Sequence, residues 1–388
     1  MIKRLLRILL YLTILGIAGF FFLAGKIADW RYNDISPVDD FEISPEAKSL
    51  HRDLMVVDLH ADNLLWDRNP DARSRHGHVD IPKLVEGNYA VQVFDAVIKV
   101  PKDLNYESND NMTDNITMLA AANRWPVSSW FNLYNRAIHQ SNKLHDAANS
   151  SSSLELIKSG ADLRHFIGRR RSNSYIVGGI LSVEGLHALE GEFENLQGLY
   201  DAGYRIMGLV HFFDNEVGGS SGGIEKSGLT DFGRRVVQRM NRDQIIIDLA
   251  HASNALFDDV MAITTRPVMV SHTGVKGVHD SPRNLTDQQI RAIAENEGLI
   301  GIGFWQGAGG DIHPLTIASS IRYVADLIGV KHIALGSDFD GAVTVSFDAS
   351  QIVTVTEALI QEGFNKEEIQ AIMGGNAVRF LQENLPQR

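Results

Sequence analysis

The chain has 388 residues, 44% of them hydrophobic and 22% charged. That size allows one large domain or two ordinary ones, and the composition excludes a disordered chain, a collagen-like fibre and a polytopic membrane protein. With 36 basic and 48 acidic side chains the net charge is −12 and no basic block is present, a poor fit to nucleic-acid binding. There are no cysteines and 14 histidines. Disulfides, thiolate metal sites and a Cys nucleophile are excluded, so any metal site must use His, Asp and Glu.

Lys3, Arg4 and Arg7 precede an uncharged run, Ile8 to Gly25. As a helix this run spans about 27 Å, close to the hydrocarbon core of a bilayer. We expect an uncleaved single-pass anchor, residues 1–27, with a cytoplasmic N-terminus and the rest facing the periplasm or outside. A cleaved signal peptide, leaving a secreted protein, is the alternative. Cleavage after Ala24 would put Phe22 at −3; Ala18 with Gly16 suits it better but shortens the apolar core. Residues 28–48 read as a linker, since Pro37 and Pro45 argue against one continuous helix. Residues 49–388 read as one globular domain.

Eight apolar runs of strand length follow. They start at Met55, Tyr89, Tyr175, Tyr204, Ile245, Val268, Leu299 and His332. Helical patterns separate most of them: Glu192–Ala202, Asp231–Asn241, Ser253–Thr264, Thr286–Asn296 and Leu315–Leu327, with Thr230, Ser253 and Thr286 as caps. The Asn149–Ser153 run reads as a linker before a helix starting near Leu154. Apolar strands alternating with helices predict an α/β fold, a (β/α)8 TIM barrel, with an open doubly wound sheet as runner-up. Pro101–Ser153 is a helical insertion after strand 2, expected to hold helices at Thr113–Trp125 and Ser128–Lys143. It reads as a lid on the barrel or as a direct contributor to a binding site.

Most of the runs end in an ionisable residue. His60, Asp62, Glu184, His211, His251, His272 and Asp338 would meet at the C-terminal face of a barrel. Such a set needs a counter-charge, and divalent cations supply it; imidazole and carboxylate suit zinc and, less exclusively, manganese, iron or cobalt. His60 and Asp62 would share a strand face and could reach one ion. His251 and His272 could hold a second, with Glu184 bridging. Asp338 is the candidate general base or acid, His211 a candidate oxyanion stabiliser, and Arg283 a candidate clamp for a substrate carboxylate. Each has a structural alternative: a satisfied core histidine, a helix-N-terminal Glu, a loop salt bridge. Asp58, Asp248 and Asp340 read as structural or ligand-orienting, and Trp66 and Trp305 as packing. No Gly-x-Ser-x-Gly elbow stands between strand and helix, and no Walker motif occurs. Asn111, Asn115 and Asn284 match glycosylation sequons, which are weak patterns.

The pattern resembles the renal (membrane) dipeptidase family of zinc metallopeptidases, within the amidohydrolase-like barrels. The matching pieces are Val57-Asp-Leu-His-Ala-Asp62, His78-Val-Asp-Ile-Pro82, Val183-Glu-Gly185, Gly228-Leu-Thr-Asp-Phe-Gly233, Ile247-Asp-Leu-Ala-His-Ala-Ser253, Val270-Ser-His272, Pro282-Arg-Asn-Leu-Thr-Asp287 and Leu335-Gly-Ser-Asp-Phe-Asp-Gly341. They cover roughly residues 50–385. The resemblance implies two zinc ions per chain, His60 and Asp62 on one, His251 and His272 on the other, with Glu184 between. It implies hydrolysis of dipeptides, including those with a C-terminal D-residue, by a metal-bridging hydroxide. His211 would contact the substrate, Arg283 would bind its carboxylate, and Asp338 would move the proton. The segments Gln92-Val-Phe-Asp95 and His211-Phe-Phe-Asp-Asn215 differ from the animal enzymes in wall residues, and the C-terminus lacks their apolar anchor tail. Without cysteine a covalent dimer is excluded and a non-covalent homodimer stays open. Competing readings are another binuclear amidohydrolase, acting on N-acyl amino acids or lactones, and a non-catalytic envelope binding protein.

Overall fold

The computed structural model describes residues 1–387. All eight apolar runs become strands: β1 Val56–Ala61, β2 Tyr89–Val97, β4 Val177–Glu184, β5 Tyr204–Gly208, β6 Ile246–Asp248, β7 Met269–Thr273, β8 Leu299–Ile302 and β9 Ile333–Leu335. A short extra strand, β3 Leu154–Leu156, pairs with the start of β4. Sequence reading puts a helix near Leu154; the helix starts at Gly160 instead, after Ser159 caps it. Every pairing is parallel, and the ring closes through β1–β2, β2–β4 and β1–β9. That is the (β/α)8 barrel. The barrel strands are buried along their whole length, which explains why they read as continuous rather than alternating apolar runs.

The connecting helices begin where their caps predict. Thr230, Ser253 and Thr286 each accept a bond from the third residue of their helix, and Thr286 completes a capping box with Gln289. Each such cap is worth about 1 kcal/mol. The insertion folds as helices Asn115–Ala122 and Leu133–Ser150, so the helix takes in the start of the expected serine linker. Arg136 pins the insertion from within. Fully buried, it donates to the carbonyls of Ile98 and Ser129 and pairs with Asp114 at 2.7 Å.

At the N-terminus one helical segment runs from Ile2 to Tyr32 with a mean hydropathy of 2.3 in its most apolar window. The helix therefore reaches into the 28–48 stretch, as far as Tyr32. Asp29 and Asn33 are buried against the barrel end: Arg68 pairs with Asp29 at 3.2 Å, and Ala342 N donates to Asn33 Oδ1.

Candidate active site

The strand ends bring the seven ionisable residues together. His60 lies in β1, Asp62 just past it, Glu184 at the end of β4, His272 in β7, and His211, His251 and Asp338 just beyond β5, β6 and β9. All seven are buried. Glu184 is the centre. Its Oε1 lies 2.8 Å from His251 Nε2, 3.3 Å from His272 Nε2 and 3.9 Å from His60 Nε2. Its Oε2 lies 3.1 Å from His211 Nε2. His60 Nε2 is 3.3 Å from Asp62 Oδ1 and 3.9 Å from Asp338 Oδ1.

His251 Nε2 and His272 Nε2 lie 3.1 Å apart, within hydrogen-bond distance, but several of the other atoms converge without a partner. Both ring nitrogens of His60, Asp62 Oδ1, Glu184 Oε1 and His211 Nδ1 are buried with no hydrogen-bond partner. Buried polar atoms are normally paired, so a cluster of orphans marks a missing third party. Three trios of ligand-type atoms lie within 4.8 Å of one another: His60, Asp62 and Glu184; Glu184, His211 and His251; His60, His272 and Asp338. The donor set is nitrogen and carboxylate oxygen, and it fits zinc-type ions.

Electrostatics points the same way. Burial, reinforced by Arg283 and by neighbouring histidines, holds His251 and His272 well below the ordinary imidazole range. Burial does the same to His211, with His187 and His60 adding to it. Neutral rings keep the lone pair that ligation needs. Burial also works against the charged form of His60, but Asp62, Glu184 and Asp95 outweigh it and raise its pKa well above normal. Burial raises Glu184 and Asp338 well above the usual carboxylate range, with Asp62 contributing in both.

The supporting residues are local. Asp58 accepts from Ser337 N and Ser337 Oγ, at 2.8 and 2.6 Å, and from Gln92. It thereby fixes the residue before Asp338. Asp248 accepts from Ala250 N and Ser271 N and ties the ends of β6 and β7. His251 and Asp338 themselves sit at φ 63° and 61°. Left-handed backbone at non-glycine residues costs about 1–2 kcal/mol each, and such strain gathers at functional sites.

A cavity of about 140 Å³ opens over the cluster. Arg283 is in its wall, buried, and its Nη2 donates to the His272 carbonyl at 2.8 Å. Burial lowers its pKa, with Glu184 and Asp338 opposing that effect. The insertion is both a lid and a wall. Asn109 N donates to the Gly222 carbonyl at 2.7 Å, and Leu104 and Tyr106 line the cavity. Trp305 lines it too and donates from Nε1 to Tyr106 Oη at 3.0 Å, so it is more than packing. Sequence reading missed Tyr106, which stands in a loop without periodicity. It also gave no role to Asp95, which accepts from Ser182 Oγ at 2.7 Å, lies 3.9 Å from His60 Nδ1 and is pushed by burial up to about 8. Asn284 is buried and bonds the carbonyls of His279 and Ala308, which removes it as a glycosylation acceptor.

Comparison with known proteins places the chain in one family. The family model described as membrane dipeptidase, peptidase family M19, matches residues 44–386. The dipeptidase aclJ of Aspergillus oryzae is 26% identical over 380 residues, covering 88% of this chain and 84% of that protein. The dipeptidase verJ of Clonostachys rogersoniana is 27% identical over 352 residues, 87% of this chain and 86% of that one. Two solved structures share the fold. A metallo peptidase from Rhodobacter sphaeroides, liganded with a phosphinate mimic of the dipeptide L-Ala-D-Ala, has a TM-score of 0.70 at 24% identity, covering 86% of this chain and 99% of that one. The probable dipeptidase PvdM from Pseudomonas aeruginosa has a TM-score of 0.72 at 18% identity, covering 87% and 98%. The chain belongs to the membrane dipeptidase family of metallopeptidases, M19, and is a hydrolase of that family.

Proposed function

We propose that this chain hydrolyses dipeptides with two zinc ions held around Glu184. The observation that carries this reading is the convergence of buried, unpartnered nitrogen and oxygen atoms on that carboxylate. His60 and Asp62 would hold one ion and His251 and His272 the other, with Glu184 shared. When bound, the ions supply counter-charge to the carboxylates, polarise the scissile carbonyl and lower the pKa of water.

The chain's own groups do the rest. Arg283 receives the C-terminal carboxylate of the substrate as an ion pair, its guanidinium already oriented by the His272 carbonyl. His211 donates to the oxygen of the substrate's tetrahedral intermediate. Asp338 takes the proton from the attacking water and hands it to the leaving amine. Tyr106 and Trp305 close the cavity against bulk water. The 3.1 Å separation of His211 from Glu184 also suits a ligand. A His211→Ala variant that keeps two zinc ions but loses turnover separates the two roles. Since the Rhodobacter sphaeroides relative binds a mimic of L-Ala-D-Ala, dipeptides with a C-terminal D-residue are included among the substrates.

The same reading keeps residues 1–27 as an uncleaved anchor, 28–48 as the connection and 49–388 as the catalytic domain, facing the periplasm or outside. The burial of Asp29 and Asn33 in the domain supports a helix that stays attached. The test is metal content with turnover of L,L- and L,D-dipeptides, before and after chelation. Two zinc ions per chain, with activity lost on chelation and restored by zinc, is the expected result. Two bound metals without turnover of any dipeptide would sink the substrate assignment.

A further inference from the structure

The helix that leads into the domain is not a free stalk. Its stretch Phe20–Ala24, the end of the uncharged run, packs on helix Asn115–Ala122 of the insertion. Arg124 Nη1 donates to the Phe21 carbonyl at 2.9 Å, and its guanidinium lies 5.3 Å from the Phe22 ring. Gly25 meets Asn123 so closely that a Cβ there would fall 1.8 Å from Asn123 Oδ1.

An apolar run that starts at Ile8 and spans about 27 Å ends at the outer edge of a bilayer. Whatever packs on its last turn sits at headgroup height, and the insertion packs there. The insertion also has an unusual surface. Outside the N-terminal helix the described residues expose eight large apolar side chains, and five of them, Leu104, Met112, Met118, Val127 and Phe131, belong to the insertion. Phe131 is 79% exposed, Val127 70% and Met118 58%. Side chains of this kind at headgroup height lose apolar area to lipid rather than to water.

We propose that this face of the insertion is a membrane-contact surface, with Met118, Val127 and Phe131 set into the headgroup–acyl boundary of the bilayer that the N-terminal helix crosses. The proposal rests on the anchor reading above. Lipid is the occupant because the helix that carries Met118 packs on a segment already in lipid, and its Thr117 bonds the carbonyl of Trp130, the residue before Phe131, at 3.2 Å. Arg124, paired with Asp67 at 2.9 Å, stands between the two, and Trp30 and Tyr32, 73% and 50% exposed just past the apolar run, are interfacial residue types. The same insertion gives Leu104 and Tyr106 to the cavity wall, so one segment joins the bilayer to the active site.

The chain has no cysteine, so a single introduced one carries a fluorophore cleanly. Full-length Leu12→Cys, Val127→Cys, Phe131→Cys and Tyr175→Cys proteins are labelled and reconstituted into phosphatidylglycerol–phosphatidylethanolamine vesicles containing headgroup-proximal spin-labelled lipid. Tyr175 is the exposed control, just before β4 at the opposite, N-terminal end of the barrel. The labels at Phe131 and Val127 should lose about half their emission, as expected for a depth of roughly 5–10 Å, and the Tyr175 label almost none. Quenching at Leu12 with Phe131 and Val127 no different from Tyr175 overturns the proposal and leaves the anchor standing. No quenching at Leu12 overturns both. Protection of Phe131 from an aqueous quencher without lipid quenching, dependent on protein concentration, assigns the face to a second copy and also overturns the proposal.

Discussion

Two buried charge clusters share one loop. Asp338 and Asp340 are two residues apart after β9, both left-handed at φ 61° and 64°, and they face opposite fates. Asp340 is fully buried and fully answered. His78 N and Val79 N donate to it at 2.7 and 3.1 Å, and Arg68 pairs with it at 2.8 Å. Burial works against its charge, but Arg68 and His78 win and its pKa is lowered. Asp338 faces His60 at 3.9 Å beside Asp62 and Glu184, and burial raises its pKa. Burial alone does not tell structure from chemistry here. The donors that reach each carboxylate do: Asp340 has two backbone N–H groups and a guanidinium, while Glu184 Oε1 and Asp62 Oδ1 have no hydrogen-bond donor.

The sharpest way to break that contrast is Glu184→Gln. It should abolish dipeptide turnover by on the order of 10³-fold or more and lower bound zinc, while thermal unfolding of the metal-free protein stays close to the parent. Full activity with two metals retained would remove Glu184 from the centre of the site. Asp340→Asn is the counterpart. It leaves the half-buried Arg68 with Asp29 as its remaining ion-pair partner, at a cost of about 2–3 kcal/mol in stability, read by denaturant titration. The pH sign follows from the lowered pKa. The stabilisation from Asp340 is present above the unfolded carboxylate range and fades as pH falls through its lower folded value. The variant should therefore show a flatter acid limb of stability than the parent. An unchanged acid limb would mean that Asp340 does not carry it.

Arg283→Ala comes next. It should cost about 10–100-fold in kcat/KM on dipeptides, the worth of a charge-assisted bond to a carboxylate. The same variant should lose little on a dipeptide amide, which has no carboxylate to bind. Equal losses on both substrates would point to a structural role through the His272 carbonyl instead.

Much of the barrel was legible because its strands are buried on both faces and therefore stand out as uninterrupted apolar runs. The caps were legible because Thr230, Ser253 and Thr286 have a local job that needs only their own helix. Strand-end position brought the seven site residues into view, since a barrel gathers its strand ends. Besides the role of Asp95, three things were not visible. β3 is three residues long and follows a serine run that looked like a helix lead. Tyr106 reaches the cavity from a loop, where no period exists to place it. The purpose of the His78-Val-Asp-Ile-Pro82 segment depends on a partner far along the chain: His78 accepts from Asp340 N at 2.8 Å while Asp80 caps helix Ile81–Glu86. Pairings across 262 residues leave no mark in local sequence.

The smallest expected effect tests whether the N-terminal helix belongs to the Asp340 cluster. Asn33 donates from Nδ2 to Asp29 Oδ1 at 2.8 Å and accepts from Ala342 N at 3.0 Å. Asp29 in turn pairs with Arg68, and Arg68 with Asp340. Asn33→Ala therefore removes one link between the helix end and the Asp340 loop, leaving the Arg68 pairs in place, without touching Glu184 or its neighbours. The loss leaves buried Asp29 short of a donor while the exposed Ala342 N–H can turn to water, so about 1 kcal/mol of stability should go. Turnover and zinc content of the folded protein should hold, because Asp338 is kept in place from its other side by Asp58 through Ser337. A fall in kcat with stability unchanged would mean that the helix end positions Asp338 directly, and the two clusters would then be one.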